Sequence, residues 1–196
     1  MSDKTLNFET IIPKFDAILS RGLCSGVGDR DGQMCIEAAI CAALDLPHGD
    51  NPSCVEPAIR SYKIALNDKT WTSPKARAKG LRNLGIAQIG SNGVVDGHEF
   101  TKRLAKRTIQ VLLPEMVRSI PRLAKQAQLA KVCEREGTFE AAIDLGRALY
   151  AAAFYAAAPL KKRTDKYLLL SASLALEVLC ELKSPGCEWI DWLEGK

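Results

Sequence analysis

The sequence is short of the features that most often declare a function. Aromatic residues make up only 6% of its 196 positions, while Ala and Leu dominate the second half, a balance that favours helix over sheet. No run alternates apolar and polar residues with period two for long enough to predict a strand. There is no Gly-Lys-Ser/Thr, which excludes a P-loop. Cys24, Cys35, Cys41, His48 and Cys54 include no pair two to four residues apart, so no compact zinc knuckle is encoded. The opening MSDKTLNFET has no basic region leading into an apolar core, which argues against a secretion signal. The longest apolar run, Ala148 to Leu160, falls short of the ~20 residues that a membrane-spanning helix needs. It reads as a buried helix, and no membrane partner is expected.

What is present fits an ordinary globular protein. Hydrophobic residues make up 47% of the chain and charged residues 26%. The length suits one large domain or two small ones, with roughly 70% of the unfolded-chain surface buried on folding. Seven cysteines (Cys24, Cys35, Cys41, Cys54, Cys133, Cys180, Cys187) are an odd number at irregular spacings. That pattern suits free thiols in a reducing cytosol, so the expected location is cytoplasmic.

Charge is the most uneven property. Met1 to Thr70 carries seven Lys/Arg against ten Asp/Glu, Trp71 to Lys131 carries twelve against three, and Val132 to Lys196 carries eight against ten. The formal net charge of +4 therefore hides a strongly basic middle between two mildly acidic ends. Such asymmetry attracts an anionic surface, either nucleic acid or an acidic protein face.

Helical periodicity runs through nearly the whole chain. Phe8, Ile11, Ile12, Phe15, Ile18 and Leu19 recur at helical spacing and Gly22 ends the run. A glycine-rich loop, GLCSGVGDRDG, precedes an Ala-rich helix from about Gln33 to Leu44, and DLPHGDNPS must turn. Ser53 and Glu56 form a capping box for a helix to about Leu66, and Ser73-Pro74 opens another to about Ile89. IGSNGVVDG leads into a helix from about Glu99 to Leu113, after which Pro114 and Pro121 each start a short helix. Thr138 follows the stop at Gly137 and caps a helix to about Ala157. The last long helix, Asp165 to Lys183, is apolar around most of its circumference, which places it in the middle of a bundle with Leu169, Leu170, Leu176 and Leu179 in the core. The expected fold is all-α, an irregular bundle of about eight helices. The seam at Gly90–Gly97 divides it into an N-terminal lobe, 1–90, and a C-terminal bundle, 98–196, with a single domain over 1–196 as the other arrangement.

The stretches RDGQMCIEAAICAALDLPHGDNPSCV, LRNLGIAQIGS and LSASLALEVLCELKSPGCEW resemble an uncharacterised family of helical bacterial and bacteriophage proteins. The family has no established activity or site residues to carry over. The resemblance implies a phage or mobile-element protein that binds a host factor, for instance by blocking a host defence complex.

Among constellations that could carry chemistry, the basic middle is the strongest. Lys102, Arg103, Lys106 and Arg107 fall in an arc of about 140° on one helix, with Phe100, Leu104, Ile109, Val111 and Leu112 mainly on the remaining circumference. Lys75, Lys79 and Arg82 do something similar one helix earlier, and few acids are near in sequence to neutralise either group. A different class of function would use Cys35 as a nucleophile at a helix N-terminus, where the dipole lowers a thiol pKa. Gln33 would donate to an oxyanion, and His48 or His98 would act as base. Against this stands a small cysteine buried on an apolar helix face. Cys24, Cys35, Cys41, His48 and Cys54 have the right ligand types for zinc but the wrong spacings, and His48 with Asp50 reads better as a turn. The Gly22–Gly32 loop follows a helix rather than a strand, fits no phosphate-binding fingerprint, and reads as a connection or a contact surface. The reading is a non-enzymatic helical binding protein whose basic central face engages an acidic protein surface or a nucleic-acid backbone, with no metal or cofactor. The alternative is a cysteine-dependent hydrolase or transferase.

Overall fold

A computed structural model describes residues 7–119, 121–154 and 164–194. Among these the protein is all-α, with isolated bridges at Leu23–Met34 and Gly28–Met34 as its only extended pairing. In chain order the helices are α1 (Phe8–Leu19), α2 (Ile36–Ala43), α3 (Pro57–Asn67), α4 (Pro74–Ala87), α5 (Gly97–Arg107), α6 (Leu113–Ser119), α7 (Ala127–Glu136), α8 (Phe139–Phe154), α9 (Thr164–Glu181) and α10 (Gly186–Glu194). The helix end expected near Ala157, and the apolar run from residue 155 onward, lie outside the described residues.

Local chemistry sets most boundaries. The Asn7 side chain accepts from the Glu9 N–H and starts α1, whose Ile11, Ile12, Phe15 and Leu19 are buried at helical spacing. Ser73 accepts from the Ala76 N–H and Pro74 occupies the first turn of α4. Gly137 ends α7 in the left-handed region, and Thr138 accepts from the Ala141 N–H to start α8. The cap of α3 is Glu56 rather than Ser53. Pro57 holds the preceding residue out of helical geometry, so the Glu56 carboxylate itself accepts from the Ala58 and Ile59 N–H groups.

Helix α5 starts two residues earlier than expected, because Asp96 accepts from the His98 and Glu99 N–H groups. It does not stop at Pro114. A five-residue π-turn, Thr108–Leu112, joins α5 to α6. Pro114 has no N–H for the Gln110 carbonyl, and the helix widens just ahead of it. A 3₁₀ turn, Pro121–Gln126, then leads into α7.

The glycine-rich loop before α2 is folded and tied on several sides. Gly28 has φ +75°, and a Cβ there would stand 2.3 Å from the Gln33 carbonyl oxygen and 2.5 Å from Cys24 Sγ. Asp68, just past α3, accepts from the Gly26 N–H at 2.9 Å and the Ser25 hydroxyl at 3.1 Å. Arg77 on α4 donates to the Leu23 carbonyl.

Two apolar clusters form. The larger includes Phe15, Ile36, Ile40, Ile59, Leu81, Ile86 and Phe100, and it is completed by Leu174, Val178, Leu179 and Trp189. The smaller gathers Ile109, Val117, Leu123, Ala130, Cys133, Ala141 and Leu145. The boundary between clusters does not fall at Gly90–Gly97, since Val95 on that loop belongs to the larger one. Helices α9 and α10 instead return to pack on α4. A Cβ on Gly186 would lie 2.0 Å from the Ile86 carbonyl oxygen, so α10 starts hard against the end of α4. Within α9 the apolar girdle is only partly internal. Leu179 is fully buried, Leu170 and Leu176 are half-buried, and Leu169 is 44% exposed, which corrects the expectation that all four lie in the core.

Candidate binding surface

Helix α5 presents Phe100 and Leu104 inward and its cations outward. Lys102 and Lys106, one turn apart, are exposed and make no ion pair among the described residues. The two arginines behave differently. Arg103 Nε donates to Glu99 Oε1 at 2.7 Å and its Nη1 lies 3.5 Å from Glu181 Oε2. Arg107 Nη2 donates to Glu181 Oε1. The hydrogen bond from Arg103 holds the Glu99 carboxyl below its ordinary range, and the Arg103 guanidinium is raised in turn. Glu181 closes α9, 74 residues from Arg107 in sequence, so sequence proximity alone hides this neutralisation.

On α4, Arg82 makes a bidentate pair with Asp16 of α1, Nε to Oδ1 at 2.6 Å and Nη2 to Oδ2 at 2.7 Å. That hydrogen bonding raises the guanidinium pKa and ties the two helices together. Lys75 and Lys79 are exposed, without an ion pair among the described residues. Lys79 and Arg82 edge a recess of about 380 Å³ between α4 and α9 that includes Leu169 and Leu176. Helix α9 packs on both α4 and α5, so the seven cations form two groups, one on each helix, joined through α9.

Two further recesses flank α5. One, of about 400 Å³, is walled by Ala58 and Tyr62 of α3, Phe100 and Leu104 of α5, and Phe139 and Ala142 of α8. The other, of about 480 Å³, is lined by Glu99, Lys102, Lys106, Thr138, Phe139 and Glu140 among others. Phe139 belongs to both and is 67% exposed, and Ile143, one turn further along α8, is 51% exposed. Tyr62 turns its polar end away: its hydroxyl donates to the Ser171 carbonyl at 3.0 Å, and burial pushes its pKa up to about 12.

The cysteine constellation is placed quite differently from a nucleophile and its base. Cys35 is the N-cap of α2, and its Sγ accepts from the Ala38 N–H at 3.3 Å. It is buried, and desolvation raises the thiol pKa despite the helix N-terminus. Gln33 Nε2 donates to the Arg21 carbonyl, and His48 Nε2 lies 3.2 Å from the Gly28 carbonyl oxygen. Among the described residues neither Gln33, His48 nor His98 hydrogen bonds to Cys35. Cys41 is also buried, its thiol pushed up to about 11 by desolvation first and by Glu37 second. Among the described residues no three His, Cys, Asp or Glu side chains gather to hold a metal ion.

The feature that sequence reasoning missed is internal. Glu37 on α2 and Lys63 on α3 meet at 3.2 Å with neither side chain exposed, and Gln88 Nε2 donates to Glu37 Oε2 at 2.8 Å. The pair lacks hydrogen-bond alignment, leaving Lys63 Nζ and Glu37 Oε1 without a hydrogen bond. Burial drives the Glu37 carboxyl up and the Lys63 ammonium down. A signal was present in the spacing: Lys63 sits at the i+4 position between Ile59 and Leu66 on the buried stripe of α3.

No family model matches the chain, and searches of curated proteins and of solved structures find no relative. Among the described residues no helix is long and apolar enough to cross a membrane. The class that fold and surface define is thus an all-α protein with cationic and apolar recesses around α5.

Proposed function

We propose that the protein is a cytoplasmic, non-enzymatic binding module that engages an acidic protein surface through its basic central helices. One observation carries the reading. Lys102 and Lys106 stand in solvent without an ion pair among the described residues, and they line a recess that also includes the exposed Phe139. A nucleic-acid backbone is met chiefly by cations and polar groups. Cations beside an exposed aromatic ring suit a protein partner, whose interface mixes apolar centre and polar rim. Lys75 and Lys79 on α4 add a second cationic group. Arg82, Arg103 and Arg107 already hold carboxylates of the same chain, so they brace helices and contribute less free charge.

The test compares a glutamate-rich polypeptide with a DNA duplex as probes for the full chain. Lys102→Glu with Lys106→Glu should weaken polypeptide binding by about tenfold or more, while stability shifts by less than ~0.5 kcal/mol per solvent-facing site. Unchanged polypeptide binding by the double variant would overturn the reading. So would tighter binding to the duplex, with affinity falling steeply in salt at a slope near −0.9 per phosphate contacted.

A further inference from the structure

The recess between α3, α5 and α8 has an apolar lining and an exposed apolar lip. Its walls come from α3, α5, α8 and the π-turn after α5, with Tyr62, Leu104, Ala105, Ile109 and Phe139 among them. Its volume of about 400 Å³ falls in the roughly 300–1,000 Å³ range of ligand pockets. Two of the three polar side chains at the wall, Tyr62 and Thr101, are already satisfied within the chain. Tyr62 donates to the Ser171 carbonyl, and the Thr101 hydroxyl donates to the Gly97 carbonyl at 2.8 Å. What remains for a ligand is chiefly shape and apolar surface, with the Thr108 hydroxyl as the third polar side chain of the lining.

The lip extends that surface outward. Phe139 and Ile143 are one turn apart at the start of α8, and both are more than half exposed. Large apolar side chains in that position mark an interaction site when they adjoin a groove. Across Phe139 lies the cationic side. There the Glu99 carboxylate is occupied by Arg103, which leaves Lys102 and Lys106 facing the single further carboxylate of Glu140. An apolar groove with a net positive border calls for an occupant that is apolar on one face and acidic along its flank. A peptide added as a β-strand would need a sheet edge to pair with, and among the described residues there is no sheet. The mode that fits is an amphipathic helix laid into the groove, read by anchors at i, i+3 or i+4, and i+7.

We infer that the recess between α3, α5 and α8 receives the apolar face of an acidic amphipathic helix from a partner protein, with carboxylates on that helix set against Lys102 and Lys106. This rests on the acidic-partner reading above and adds the groove, the apolar anchors and the form of the partner.

The experiment uses the full chain and two fluorescently labelled synthetic helices. One carries Leu anchors at that spacing with Glu at the flanking positions, and the other has Lys in place of each Glu. Fluorescence anisotropy should show binding of the Glu helix and little of the Lys helix. Phe139→Ala, and separately Ala105→Trp to fill the groove, should each weaken the Glu helix by about tenfold. Lys102→Glu with Lys106→Glu should do the same and remove the preference for Glu over Lys. Circular dichroism confirms that each variant is folded, and the exposed position of Phe139 keeps that variant informative should the Trp substitution disturb α5. If the lysine variant loses binding while both groove variants retain it, the basic face stands and the groove is overturned. Retained binding by the lysine variant overturns the acidic-partner reading and this inference together. Failure of the wild type to bind the Glu helix overturns the groove alone if it still binds the glutamate-rich polypeptide. Self-association abolished by Phe139→Ala would assign the groove to a second copy of this chain and overturn the inference.

Discussion

Lys63 Nζ lies 3.2 Å from Glu37 Oε1, and neither side chain reaches solvent. The pair joins α2 to α3 inside the larger apolar cluster, and Gln88 extends it to just beyond α4. Two charges so placed have given up hydration that their mutual attraction only partly replaces. Their worth to the fold is therefore asymmetric: breaking the pair costs much more than removing it whole.

Lys63→Met alone should destabilise the protein by about 3–5 kcal/mol, because it leaves a buried carboxyl without its counter-charge. Glu37→Gln with Lys63→Met removes both charges and keeps an acceptor for Gln88, so it should recover most of that loss. Urea midpoints of wild type, single and double variants check this. A double variant as unstable as the single would show that the lysine acts by packing rather than by charge.

Leu179 and Leu169 give a direct comparison on one helix. Leu179→Ala should cost about 2–5 kcal/mol, since the side chain is fully buried. Leu169→Ala, on the exposed side beside Lys79, should cost less than ~0.5 kcal/mol. Equal losses in denaturation would place Leu169 in the core after all.

Thiol labelling separates the cysteines. With the Cys35 thiol raised and that of Cys41 pushed up to about 11, iodoacetamide at neutral pH should modify both slowly in the native protein and rapidly after unfolding. Peptide mapping by mass spectrometry reads the rates site by site. Native labelling of Cys35 faster than of a free thiol in denaturant would revive the nucleophile.

Asp68 links pH to the glycine-rich loop. Burial alone would raise its carboxyl, but hydrogen bonds from the Gly26 N–H, the Asn67 amide and the Ser25 hydroxyl, with Arg77 nearby, hold it below the ordinary value. A depressed folded-state pKa stabilises above the unfolded-state value, about 3.9, and that stabilisation is lost as pH falls through the folded-state value. Hydrogen exchange at the Gly26 amide should accelerate, relative to its intrinsic rate, as pH is lowered below about 4. In Asp68→Asn the protection should be lower and nearly independent of pH over that range. A wild-type loop equally protected on both sides of the window would refute the anchor.

The sequence announced its helices where the signal is local. Ser73-Pro74, Gly137 and Thr138 act within one turn of themselves, and each boundary stands where their chemistry puts it. The Ser53 and Glu56 pattern misled because Pro57 transfers the cap to the glutamate. Helix α10 went unread, since its nine residues begin at the glycine of Ser184-Pro185-Gly186 and its place is set by close contact with the end of α4. For the surface, the cations of α5 were legible from spacing. Which of them remain unpaired was not, because Glu181 arrives from far along the chain. The partnership of Lys63 and Glu37 was hidden for the same reason: it exists only after α2 and α3 have packed.

The return of α9 and α10 to α4 has a consequence for the order in which the molecule can assemble. Leu81, Leu84 and Ile86 present a seam whose other half, Leu174 to Ile190, lies about a hundred positions further along the chain. A nascent chain leaving the ribosome therefore exposes that seam until α9 and α10 emerge, and it must close a very long loop to cover it. The smaller cluster, from Ile109 to Leu145, needs no such wait. Synthesis thus delivers a middle cluster that can collapse early, before α9 and α10 arrive to cover the larger one.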